Sequence, residues 1–99
     1  MEAIIVKTEE KLTVSPQGRL DTVASAELAD QIDEAGADNV DIDMDFEKVE
    51  YISSAGLRLL VALQRQARAS DHVMVIRNAG KVVLEVFRIS GFDKKFTVV

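Results

Sequence analysis

The sequence predicts a single α/β domain over residues 1–99, built on a mixed, mostly parallel sheet of about five strands with helices mainly on one face. Three observations carry this. Val40 to Phe46 alternates apolar and acidic residues, the signature of a strand with one dry and one wet face; a sheet covered on both faces would need continuous apolar strands. A breaker-free stretch from Ser54 to about Ala69 repeats apolar residues at helical spacing. Strand and helix patterns then alternate to the C-terminus, which implies parallel pairing through right-handed crossovers.

In chain order, Ala3–Lys7 and Leu12–Ser15 read as an antiparallel hairpin around the polar turn Glu9-Glu10-Lys11, and Pro16, Gln17 and Gly18 bend the chain away. Arg19 to Thr22 leads into a helix marked by Ala24, Leu28 and Ile32, capped by Asp21 or Thr22 and stopped by Gly36. After the alternating strand, Ser53 and Ser54 stand where a helix N-cap belongs. Gly56, Leu59, Leu60, Leu63 and Ala67 form the expected core arc of this central helix. Gly56 costs about 1 kcal/mol relative to alanine in a helix, and close approach to the sheet is the expected compensation. The opposite arc holds Arg58, Gln64, Arg65 and Arg68. Leu57 and Val61 fall among them, so Leu57, Arg58, Val61 and Arg65 are read as a partner-binding surface. A strand at His72–Ile76, a helix from about Ala79 to Ile89 closed by Gly91 in the left-handed conformation, and a last strand Phe96–Val99 complete the chain.

Composition narrows the function. A net charge of -5 opposes unspecific nucleic-acid binding, which draws its affinity from neutralised phosphates, and five scattered aromatic residues without Trp offer no base-stacking platform. With no cysteine there is no disulfide, thiolate metal site or cysteine nucleophile. No stretch reads as a signal peptide or membrane span, so the expectation is a cytoplasmic protein without membrane insertion. The acids crowd residues 1 to 50, whereas Arg58, Arg65, Arg68, Arg77, Lys81, Arg88, Lys94 and Lys95 fall in the second half, an asymmetry that suits a steered protein partner or cross-paired surface charges.

The catalytic and metal readings fail on spacing. Asp41, Asp43 and Asp45 share the spacing of the first ligands of a calcium loop, but Phe46 stands where the turn glycine is needed and Ile52 where the bidentate acid should be. Ser54 at a strand-to-helix turn suggests a nucleophile, yet the only histidine, His72, emerges beyond a helix about 24 Å long. Neither phosphate-cradling glycine motif occurs. What survives is a hydroxyl at a helix N-terminus, where backbone N–H groups and the dipole would accommodate a phosphate on Ser54, with Arg58 one turn on. The expectation is therefore no enzyme, no cofactor and no metal.

Gly18-Arg19-Leu20-Asp21, Asp45-Phe46 with Val49 and Tyr51, Ser53-Ser54-Ala55-Gly56-Leu57, and Ile89-Ser90-Gly91-Phe92 occur in this order along nearly the whole chain. Together they resemble the STAS domains, in particular the stand-alone anti-sigma-factor antagonists of bacterial partner switching. The resemblance implies one STAS domain over residues 1–99 and a regulated serine at Ser54, with Asp21 as the nearby family acid. It also implies two partners: a serine kinase that doubles as the anti-sigma factor, held by the unmodified antagonist so that sigma factor is freed, and a metal-dependent serine phosphatase that reverses the modification. Ser53 stands where the family often has Asp, which leaves it as the alternative site, and Arg19 replaces a frequent Glu. The other reading is a STAS module of a lipid-transport or signalling assembly that docks through the same helix without phosphorylation.

Overall fold

A computed structural model describes residues 1–99. Strands β1 (Ala3–Lys7) and β2 (Lys11–Pro16) form the expected hairpin, with Ala3 opposite Pro16 and Lys7 opposite Leu12. Thr8 closes its turn: the Thr8 amide donates to the Lys11 carbonyl at 2.8 Å and the Lys11 amide to the Thr8 hydroxyl at 3.1 Å. Short β3 (Gly18–Leu20) precedes helix α1 (Thr22–Ala35); β4 (Asp41–Asp45) and β5 (Val49–Ile52) lead to helix α2 (Ser54–Ala69). Strand β6 (Met74–Arg77), helix α3 (Lys81–Ser90), a 3-10 turn at Phe92–Lys94 and β7 (Thr97–Val98) follow.

The main sheet runs β1-β2-β4-β6-β7, antiparallel only at its first pair. Its dry face presents Leu12 and Val14, Ile42 and Met44, and Met74 and Ile76, all in one core with Leu28 and Ile32 of α1, Leu60 and Leu63 of α2, and Val83 and Phe87 of α3. Asp41, Asp43 and Asp45 stay half-exposed on the other face, as the alternation requires of a sheet covered on one side. These acids are answered across the strands. Arg77 donates from Nε to Asp43 at 2.7 Å and lies 3.9 Å from Asp45, while His72 Nδ1 is 3.0 Å from Asp41. No helix is long and apolar enough to cross a membrane.

Two features differ from the sequence reading. The first is a small separate sheet in which β3 and β5 pair in parallel, setting Leu20 beside Ile52. Strands of three and four residues are too short to show a period, so Arg19–Thr22 reads only as the approach to a helix.

The second is the phase of α2. Its buried stripe is Gly56, Leu57, Leu60, Leu63, Gln64 and Ala67, with Leu57 only 7% and Gln64 5% exposed, whereas Leu59 is half-buried. Leu57 therefore belongs to the core and not to an outer surface. Helix α2 has more apolar residues than one arc holds, and Gln64, polar by type, lies in the buried stripe. Its amide nitrogen donates to the Lys95 carbonyl at 2.8 Å, and a buried polar group so satisfied carries little penalty.

Candidate functional site

Because β3 and β5 are parallel and in register at Leu20 and Ile52, the residues that follow them, Asp21 and Ser53, leave the same end of the small sheet. Each caps a helix. The Asp21 carboxylate accepts from the Ala24 amide at 2.9 Å and the Ser53 hydroxyl from the Gly56 amide at 3.3 Å, so the N-termini of α1 and α2 start from neighbouring strand ends. Neither helix has an acidic residue in its first turn, which leaves the positive ends of both dipoles uncompensated there except by the Asp21 cap.

Gly56 makes this junction possible. A Cβ at that position would lie 2.6 Å from Ile52 Cγ1 and 3.1 Å from the Leu20 carbonyl oxygen, so the helix backbone rests directly on the strand ends.

The two serines are not equivalent. Ser53 is half-buried; its hydroxyl donates to the Leu20 carbonyl at 3.0 Å while accepting from Gly56, and its amide donates to the same carbonyl at 3.0 Å. Ser54, the first helical residue, is exposed, and its hydroxyl has no hydrogen-bond partner in the chain. A reagent arriving from solvent meets Ser54 first and disturbs no internal bond by modifying it.

Arg58 lies one turn further along α2, exposed and outside every ion pair of the chain. Together with Val61 and Arg65 it lines a surface hollow of about 420 Å³, completed by Ala62, Phe92 and Lys95. Of the residues expected to meet a partner, the fold thus gathers Asp21, Ser53 and Ser54 at the helix ends and Arg58, Val61 and Arg65 along α2, and buries Leu57. Phe92 and Lys95 were not anticipated in this surface. The signal for them is Gln64, a polar residue in the apolar stripe that ties the Lys95 backbone to α2.

The acidic row on β4 forms a structural network. The Val73 amide and then His72 hold the Asp41 carboxyl below the ordinary carboxylate range, and the Asn78 amide followed by the Glu47 amide does the same for Asp45. His72 is bound to this row, and its amide donates to the Ala67 carbonyl at 2.8 Å, at the end of α2 opposite Ser54. It cannot act as a base for that serine.

Residues 5–99 match a family model described as "Mlab, STAS domain". A Bordetella bronchiseptica protein provisionally named anti-sigma factor antagonist BtrV is 41% identical over 73 residues, 74% of this chain; the chain spans 60% of that relative's length. Among solved structures, the anti-sigma factor antagonist SpoIIAA in its unphosphorylated form superposes with a TM-score of 0.83 at 23% identity, covering 99% of this chain and 88% of that one. The phosphorylated form of the Bacillus cell fate determinant SpoIIAA gives 0.73 at 22% identity over 99% of this chain and 91% of that one. At these identities the superpositions establish a shared fold.

Proposed function

The chain belongs to the STAS-domain family, and from that premise we propose that it is an anti-sigma-factor antagonist switched by phosphorylation of Ser54. Unmodified, it binds an anti-sigma factor that is also a serine kinase, and sigma factor is released. The kinase transfers the γ-phosphoryl group of ATP to Ser54 Oγ, with loss of the hydroxyl proton and release of ADP. A metal-dependent serine phosphatase hydrolyses the ester to inorganic phosphate. The protein itself is a binding partner and acts in the cytoplasm.

The observation that carries this reading is the division of labour at the junction: Ser53 is locked to Leu20 and Gly56, and Ser54 is exposed and unbonded beside it. A phosphate there lies at a helix N-terminus, where a dianion is neutral to folding or stabilising by about 0.3–1 kcal/mol. It also lies at the end of the small sheet from which Asp21 leaves. A partner docked over this spot must desolvate a charge of roughly -1.5 to -2 or bring a cation to meet it, so the modification acts on the complex and not on the fold.

A second reading is favoured by the family model's own description, which is not that of an antagonist. It makes the chain a STAS module of a lipid-transport or signalling assembly, docking through the same surface without phosphorylation. The two separate on incubation with the cognate kinase and ATP followed by mass-spectrometric site mapping. Label on Ser54 supports the switch, label on Ser53 moves it by one residue, and no label on either favours the second reading.

A further inference from the structure

The hollow on the outer face of α2 has a chemistry of its own. Its apolar lining is Val61, Ala62 and Phe92, and its exposed cationic rim is Arg58, Arg65 and Lys95. None of these three cations is ion-paired within the chain, although the chain carries 17 acids against 12 lysines and arginines. Surplus carboxylates thus leave this rim unanswered. The far wall is fixed in place: Gln64 holds the Lys95 carbonyl, Phe92 stacks on Phe96 with ring centroids 5.3 Å apart, and Phe96 meets Phe87 edge-on at 5.5 Å. A preformed wall spares a partner the entropy of ordering it.

From this we propose that the hollow is a docking site for an acidic amphipathic helix of a partner protein. Arg58 and Arg65 are seven residues apart, so they stand two turns and about 10 Å apart along α2. A helix lying along α2 with carboxylates at the same seven-residue spacing meets both, while its apolar stripe covers Val61 and Phe92 and a third acid reaches Lys95. The hollow is open to solvent and does not enclose a small molecule as a ligand pocket does. This extends the partner surface of Arg58, Val61 and Arg65 and rests on that surface, not on phosphorylation of Ser54.

The test is a titration of the isotope-labelled full chain with an amphipathic peptide whose leucine stripe is flanked by glutamates seven residues apart. Alongside it run the same peptide with lysines in place of glutamates, and phosphatidylglycerol vesicles. The expected result is amide shift changes confined to residues 58–65 and 92–95, no binding of the lysine peptide, and binding weakened by about tenfold or more in Arg65→Glu/Lys95→Glu, whose fold is checked by circular dichroism. The milder Arg65→Gln should weaken it less. Shifts elsewhere, equal binding of both peptides, or binding of vesicles alone overturns the proposal. No kinase enters the titration, so its failure leaves the Ser54 switch standing, and failure of the kinase assay leaves the hollow standing.

Discussion

The carbonyl of Leu20 accepts both the amide and the hydroxyl of Ser53, each at 3.0 Å. This pair of hydrogen bonds to a neighbouring strand end makes Ser53 the fixed point from which α2 starts, and it separates a structural serine from the free one beside it. Ser53→Ala removes a cap and a cross-strand donor together and is expected to cost about 0.5–2 kcal/mol. Ser54→Ala should stay within about 0.5 kcal/mol of the parent protein, as an exposed side chain without partners should. Urea unfolding of the two variants checks the order, and equal losses would contradict the division.

Gly56→Ala sets two effects against each other. Alanine gains about 1 kcal/mol in helix propensity, but its Cβ would stand 2.6 Å from Ile52 Cγ1 and 3.1 Å from a backbone oxygen that cannot move without loosening β3. Overpacking of this kind costs about 1–3 kcal/mol, so net destabilisation is expected by thermal or urea melting. A melting point raised by the substitution would mean that the strand ends yield.

The corrected phase of α2 reverses what one substitution should do. Read from the sequence, Leu57→Glu disturbs only a complex. With Leu57 in the core, it should unfold the protein, and even Leu57→Ala should cost about 2–5 kcal/mol. Arg58→Glu, one residue on and exposed, should leave the melting curve unchanged and weaken partner binding. Calorimetry on the three variants distinguishes the two faces.

What the sequence made legible follows the strength of local signals. The Val40–Phe46 alternation announced a one-sided sheet because each Asp is wet and each apolar residue is buried. Asp21 and Gly91 announced helix ends because a cap and a left-handed φ of 79° have residue requirements of their own. The pairing of β3 with β5 was illegible, since three residues carry no period. So was the rotation of α2, which depends on a hydrogen bond from Gln64 to a carbonyl 31 residues away. At the site, Ser53 and Ser54 could both be placed at a helix start and the choice of Ser54 came from the family resemblance, whereas the structural difference between the two serines needed the Leu20 carbonyl in space.

The wet face of the sheet gives a pH dependence of definite sign. Asp41 and Asp45 both titrate below the ordinary 3.8, so each adds stability that is complete above that value and disappears as pH falls through the lower, folded-state value. The stability difference between the parent protein and Asp45→Asn should therefore be constant from neutral pH to about 5 and shrink below 3.8. Urea midpoints measured from pH 7 to 3 check this. A difference that grows on acidification would place the charge preference of Asp45 in the unfolded chain.

The proposed switch at Ser54 makes a prediction in which folding and binding part company. Ser54→Ala cannot receive phosphate and keeps the free helix end open, so it should bind the anti-sigma factor as the unmodified protein does and resist the kinase. Ser54→Asp places a single negative charge at the N-terminus of α2, where the dipole accepts it, so its unfolding free energy should be equal or raised by about 0.3–1 kcal/mol. The same charge stands at the end of the small sheet from which Asp21 leaves, in the surface proposed to meet the partner, and the affinity should fall by about tenfold or more. Phosphate on the parent protein carries more charge and should weaken the complex further. Calorimetric titration of the three forms against the anti-sigma factor, with melting curves recorded on the same samples, reads both quantities. An Asp variant that binds weakly because it has partly unfolded would place the effect in the fold, whereas one that binds as tightly as Ser54→Ala would remove Ser54 from the interface.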